Sequence, residues 1–153
     1  MTTKPIKRHP ALQNLSREHH DGLVFALRLQ KGIAKKADLL DMKAYSDWFW
    51  ENYLVDHFKL EEEILFPLLG NEHDLVLKAK NQHLALKSLF ELPSKNFSDF
   101  EKIHDLLQQH IRFEERELFN VMQEKVAEKD LLQFEKLHSE QKVCSFWENQ
   151  FWK

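Results

Sequence analysis

Cysteine is almost missing from this chain of 153 residues: Cys144 stands alone. One thiol cannot close an internal disulfide or supply a multi-cysteine zinc or iron–sulfur site, and a reducing cytoplasm is the compartment it suggests. Glycine and proline are scarce, 3 and 4 residues. That scarcity disfavours a turn-rich all-β fold and suits long helices. No run of eighteen apolar residues is present, so no membrane span is expected. The basic start Met1 to Pro10 has neither the apolar centre nor the cleavage site of a signal peptide. Charge of one sign is also lacking. Lys and Arg total 22 against 25 Asp and Glu, interspersed, which leaves no electrostatic footprint for nucleic acid.

What is abundant is histidine, with 9 residues, and phenylalanine, with 12. Two histidines stand in matching text: His57-Phe-Lys-Leu-Glu61-Glu62-Glu-Ile-Leu65-Phe66 and His110-Ile-Arg-Phe-Glu114-Glu115-Arg-Glu-Leu118-Phe119. Both copies read His-x-x-x-Glu-Glu-x-x-Leu-Phe. Residues four apart on a helix share a face, so each copy offers an imidazole and a carboxylate together. A single such pair occurs by chance and is most often a surface contact worth about 0.2–0.5 kcal/mol. Two copies at matching offsets read as a duplicated half-bundle.

Apolar periodicity and capping signals predict four core helices. The first runs from about Ser16 to Lys35, after an N-terminal arm over 1–15 in which Pro5 and Pro10 discourage regular structure. The second starts at Asp38 or Asp41 and is kinked or ended by Pro67 near Phe66. The third opens around Glu72 and Asp74 and ends before Pro93. The fourth starts at a Ser98-x-x-Glu101 capping box and carries His110 and Glu114. Short connections imply antiparallel neighbours, hence an all-α, up-down-up-down four-helix bundle over 16–127. A further amphipathic helix is expected within 128–153, carrying Leu131, Phe134, Leu137, Val143, Phe146, Trp147, Phe151 and Trp152. It would brace the bundle or, as the main competitor, form a homodimer contact.

If each half repeats, each first helix owes the site a ligand. His83 fills that place in the second half, with Leu86 and Phe90 below it. In the first half the choice is His19 or His20. His20 is preferred because Leu23, Val24 and Leu27 follow it at +3, +4 and +7, whereas His19 is followed by Gly22 and Ala26. The expected metal ligands are therefore His20, His57, Glu61, His83, His110 and Glu114. Four imidazoles and two carboxylates facing an apolar core need compensating charge. Two divalent ions bridged by Glu61 and Glu114 would supply it. Nitrogen and oxygen donors suit iron, manganese or zinc rather than copper(I).

The duplicated text, the lone histidines on alternate helices and the Leu15-Ser-Arg-Glu-His-His20 start resemble the hemerythrin-like, or HHE cation-binding, domain over roughly residues 12–125. That resemblance implies a non-haem di-iron centre whose partners are O₂, nitric oxide or peroxide, in sensing or stress defence. The oxygen-carrying members have a second histidine four residues from the third-helix one. Here those positions are Ala79 and Lys87, and Glu115 stands where they carry an aspartate. The site thus resembles a six-ligand, more open centre. A ferritin-like alternative would use Glu101-x-x-His104 and Glu135-x-x-His138, but His104 lies roughly 120° around its helix from His110. His9, His73, His104 and His138 are expected at the surface or in packing, with Glu62 and Glu115 as candidate supports for the ligands.

Overall fold

Helical propensity and apolar spacing are realised as an antiparallel bundle in a computed structural model that describes residues 7–138 and 147–153. The expectations for Val143, Cys144 and Phe146 fall outside the described residues. Among the described residues five helices form and there is no strand. A 3₁₀ turn, Pro10–Leu12, leads into α1, Gln13–Ala34. α2 spans 39–69, α3 is Asp74–Phe90, α4 spans 97–125, and α5 is Glu128–Leu137. Among the described residues no helix is long and apolar enough to cross a membrane.

Several ends differ from expectation for local reasons. The chain turns helical at Pro10 rather than Ser16, because His9 caps it: the Ala11 N–H donates to His9 Nδ1 at 3.0 Å. Proline is tolerated there because a first-turn N–H has no intrahelical partner anyway. Ala11, Leu12 and Leu15 are buried as a result, so the last third of the expected arm belongs to the core. Asp38 caps α2 as expected, accepting from the Leu40 and Asp41 amides. α4 starts two residues early, on an Asn96/Asp99 capping box instead of Ser98/Glu101.

Pro67 does not end α2. The turn before it, Glu61–Leu65, is a π-turn closed by the Phe66 N–H on the Glu61 carbonyl. Helical bonding restarts there, so Pro67 falls in the first turn of Phe66–Leu69, where its missing N–H costs little. Gly70, at φ 119°, then stops the helix in a conformation that favours glycine.

The core is split in two. One apolar cluster gathers Phe25, Leu29, Met42, Tyr45, Phe49, Trp50, Phe90 and Phe100. The other gathers Leu12, Leu15, Leu65, Phe66, Phe119, Met122, Leu131 and Phe134, and brings α5 under the N-terminal turn. Between them lies a polar waist. The tail Trp147, Phe151 and Trp152 packs on its own chain around Tyr45, with Arg28 over the Trp152 ring at 4.4 Å. Gly32 makes room for it: a Cβ there would sit 2.7 Å from the Phe151 ring. Gly32→Leu should therefore displace the tail and cost about 1–3 kcal/mol by overpacking. Thermal denaturation and a red shift of tryptophan emission would report it, while metal content stays unchanged.

Candidate metal centre

The polar waist is built from one inward-facing set per helix. His19 comes from α1, His57 and Glu61 from α2, His83 from α3, and His110 and Glu114 from α4. All six are buried, and both carboxylates are fully so. Their donor atoms converge. His57 Nε2 and His83 Nε2 lie 3.3 and 3.2 Å from Glu61 Oε1. His19 Nε2 and His110 Nε2 lie 3.0 and 3.1 Å from Glu114 Oε1. These atoms fall into two overlapping groups, His19–His57–Glu61–Glu114 and Glu61–His83–His110–Glu114, each spanning no more than 4.8 Å. Glu61 and Glu114 belong to both groups, the position bridging carboxylates would take.

Five of the six expected residues are thus brought together. The sixth is corrected: His20 is exposed, and its neighbour His19 enters the waist. The inward line of α1 is Leu15, His19, Gly22, Ala26 and Leu29. Gly22 and Ala26 make poor apolar neighbours on sequence grounds, yet they are small because α1 lies close against α4. A Cβ on Gly22 would sit 2.9 Å from Ile111 Cδ1.

The doubled glutamate of the repeated text has a structural reason. In both copies the stretch Glu-Glu-x-x-Leu is a π-turn, closed by the Phe66 N–H on the Glu61 carbonyl and the Phe119 N–H on the Glu114 carbonyl. A π-turn takes one residue more than an α-turn to come round. The phenylalanine therefore lands near the face of the first glutamate, and Leu65, Phe66, Leu118 and Phe119 are all fully buried.

The second glutamate of each copy reaches a neighbouring helix. Each histidine turns Nε2 to the centre and Nδ1 to an acceptor on another helix, and the four contacts close a ring. Glu18 of α1 holds His57 at 2.7 Å, Glu62 of α2 holds His83 at 2.8 Å, and Gln82 of α3 holds His110 at 2.6 Å. Glu115 of α4 faces His19 Nδ1 at 3.5 Å, the longest contact and outside good hydrogen-bond geometry, and also accepts from Ser16 Oγ at 3.0 Å. Acceptors on the outer nitrogen fix ring orientation and tautomer, as metal-ligating histidines require. Glu18 and Gln82 went unpredicted, although each directly precedes a ligand histidine, a signal parallel to the Glu-Glu pairs. His138 was expected at the surface or in packing. It is a packed residue, buried, with Nε2 3.2 Å from Glu18 Oε2. His9 and His73 cap helices. His104 pairs with Asp105, away from the waist.

The charges show what the centre needs. Burial and the repulsion of Glu114 push Glu61 well above the usual carboxylate range. Glu114 is held well below it, since His110 and His19 outweigh burial. Burial disfavours charge on His19 and His83, yet Glu114 and Glu115 beside one, and Glu61 and Glu62 beside the other, raise both to about 9. Burial lowers His110 to about 4. Protons thus stand in for positive charge. Even so, among the described residues both Glu61 oxygens and Glu114 Oε2 are buried without a hydrogen-bond partner. Two imidazole nitrogens, of His83 and His110, also face each other at 3.2 Å. Orphaned oxygens and converging nitrogens of this kind fit a pair of metal ions. Phe58 stacks on His83 at 3.8 Å and Phe119 on His19 at 5.4 Å.

Residues 10–122 match the family model of the hemerythrin HHE cation binding domain. Comparisons with curated proteins and with solved structures return no match.

Proposed function

Since the chain belongs to the hemerythrin HHE cation-binding domain family, we propose that it holds two iron ions between Glu61 and Glu114 and binds or responds to O₂, nitric oxide or peroxide in sensing or stress defence. The observation that carries this reading is the pair of overlapping four-residue groups sharing those two carboxylates. Four nitrogen and two oxygen donors suit iron, with manganese or zinc as substitutes. Bound iron would supply open coordination positions and a one-electron redox change. The protein supplies ligands held from behind, an apolar jacket, and a small recess beside the centre. That recess, about 10 Å³, has Glu18, His19, Tyr53, His57 and His110 in its lining, together with Gly22 and apolar residues such as Phe58 and Ile111. It is roughly the room one water-sized molecule needs. A diatomic ligand fits that scale. The single cysteine favours a reducing, cytoplasmic setting.

Elemental analysis joined to optical spectra before and after reduction tests the proposal. About two irons per chain and an air-dependent near-ultraviolet band are expected. Protein without metal and without that band would end it. Gly22→Val should fill the recess against Ile111, retain both irons and weaken nitric oxide binding by at least about tenfold.

The orphaned carboxylates also favour a second reading, an iron-responsive module whose stability reports metal supply. A large fall in melting temperature on chelation, without oxidase or peroxidase turnover in the loaded protein, would select it.

A further inference from the structure

The contact of His138 with Glu18 lies at the edge of the waist and beyond residues 10–122. His138 follows α5 directly, and its backbone N–H closes that helix on the Phe134 carbonyl at 2.9 Å. The ring is 6 % exposed and packs beside Phe134. Nothing in the bundle's own duplication calls for it, since the other three acceptors serve their histidines without a group from α5. Among the described residues its hydrogen-bonding contact is with Glu18. One oxygen of that carboxylate takes the His57 Nδ1 proton at 2.7 Å, and the other faces His138 Nε2 at 3.2 Å. A carboxylate gripped at both oxygens by buried imidazoles has little freedom to rotate. His57 in turn is held at the angle that points its Nε2 to Glu61.

We propose that His138 is a positioning residue for the metal centre, joining α5 to the His57 side of the site through Glu18. The inference rests on the reading of the waist as a metal centre and extends it. Binding of metal and docking of α5 become linked, each favouring the other by the same factor. His57 belongs to only one of the two ligand groups, so the effect falls on one ion of the two. The coupling is carried by packing as well as by the hydrogen bonds. Leu131 and Phe134 of α5 are buried in the cluster that also contains Leu15, one turn before His19.

The test uses the full chain and cobalt(II) as the probe, because its visible bands report ligand geometry and it is insensitive to air on the titration timescale. In the wild-type protein cobalt should slow amide exchange across α5. In His138→Ala one of the two cobalt sites should weaken by about 10–100-fold, the range for loss of a group supporting a ligand. Its visible bands should shift, and the metal-dependent protection of α5 should vanish. His138→Gln keeps an N–H donor and should restore affinity to within about threefold.

Unchanged α5 exchange on loading the wild-type protein would overturn the linkage. So would His138→Ala binding both ions with wild-type affinity and spectrum. In either case the metal centre itself would stand. Wild-type protein that takes up neither cobalt nor iron would overturn both. If His138→Ala does not fold, the exchange measurement on the wild-type protein and the glutamine variant decide the matter.

Discussion

Glu61→Met should abolish binding of both metal ions and, at the same time, lower the stability of the metal-free protein. The first effect follows from position. Glu61 is in both ligand groups, so its loss leaves each with one carboxylate and no bridge opposite Glu114. His57→Ala and His83→Ala each remove a ligand from one group only, and each should lose one ion and keep the other. The second effect follows from burial. His83 is buried as well, and against that burial Glu61 is one of the carboxylates that raise it to about 9. Removing one partner of a buried charged pair leaves the other uncompensated and is strongly destabilising, by about 3–5 kcal/mol. Elemental analysis and thermal denaturation of chelated samples read the two effects separately. A Glu61→Met protein that retained either ion at wild-type affinity would remove the bridging assignment.

The metal-free protein should lose stability as pH rises from about 6.5 to about 9, and metal should suppress that loss. His19 and His83 have folded-state values raised from 6.5 to about 9, so each holds its proton more tightly folded than unfolded. Their contribution is fully present below pH 6.5 and is lost as pH climbs through 9. A shift of this size corresponds to about 3 kcal/mol for each group. Both feel the charge of Glu114, so they will not add in full.

On the acid side the signs reverse. His110, lowered to about 4, favours the folded state above pH 6.5 and loses that contribution as pH falls through 4. Burial opposes the charge on Glu18, but the bonds from His138 and His57 hold it near 2, so its contribution is present above 4.5 and lost towards 2. For these four groups the balance is best near pH 6.5, while Glu61, raised by burial and Glu114, adds to the loss on the alkaline side. Metal ions replace the protons on His19 and His83, so their apparent affinity should rise across the same window. The drop in melting temperature on chelation should then be larger at pH 9 than at pH 6.5, by roughly 5–10 °C at about 2–4 °C per kcal/mol. Calorimetry with and without chelator checks it. A metal-free melting temperature that is flat from pH 6.5 to 9 would contradict the protonated waist.

The helices were readable because their signals are local. Asp38 caps α2 where a capping residue was expected, and Gly70 stops it. Pro67 misled because a proline ends a helix only when its missing N–H falls inside a continuous ladder. The π-turn over Glu61–Leu65 interrupts that ladder one residue earlier. The pairs His57–Glu61 and His110–Glu114 were readable for the same local reason, since four residues along a helix is a fixed geometry. His83 was found by the symmetry of the repeat.

His19, Glu18, Gln82 and His138 needed the fold. Adjacent helical residues point about 100° apart, so choosing between His19 and His20 requires knowing how α1 is rotated against its neighbours. Gly22 and Ala26 settle that rotation by letting α4 approach, a contact between residues far apart in the chain. The ring of Nδ1 acceptors is likewise a property of four helices together, as each histidine is served from a different one. By itself the sequence determined an all-α bundle, its duplication, and two imidazole–carboxylate pairs, because each depends on spacing along one helix. The tertiary structure alone decided which first-helix histidine enters the waist and what stands behind each ligand. It also decided that α5 touches the centre, because those are relations between helices and no spacing along one of them encodes the rotation of another.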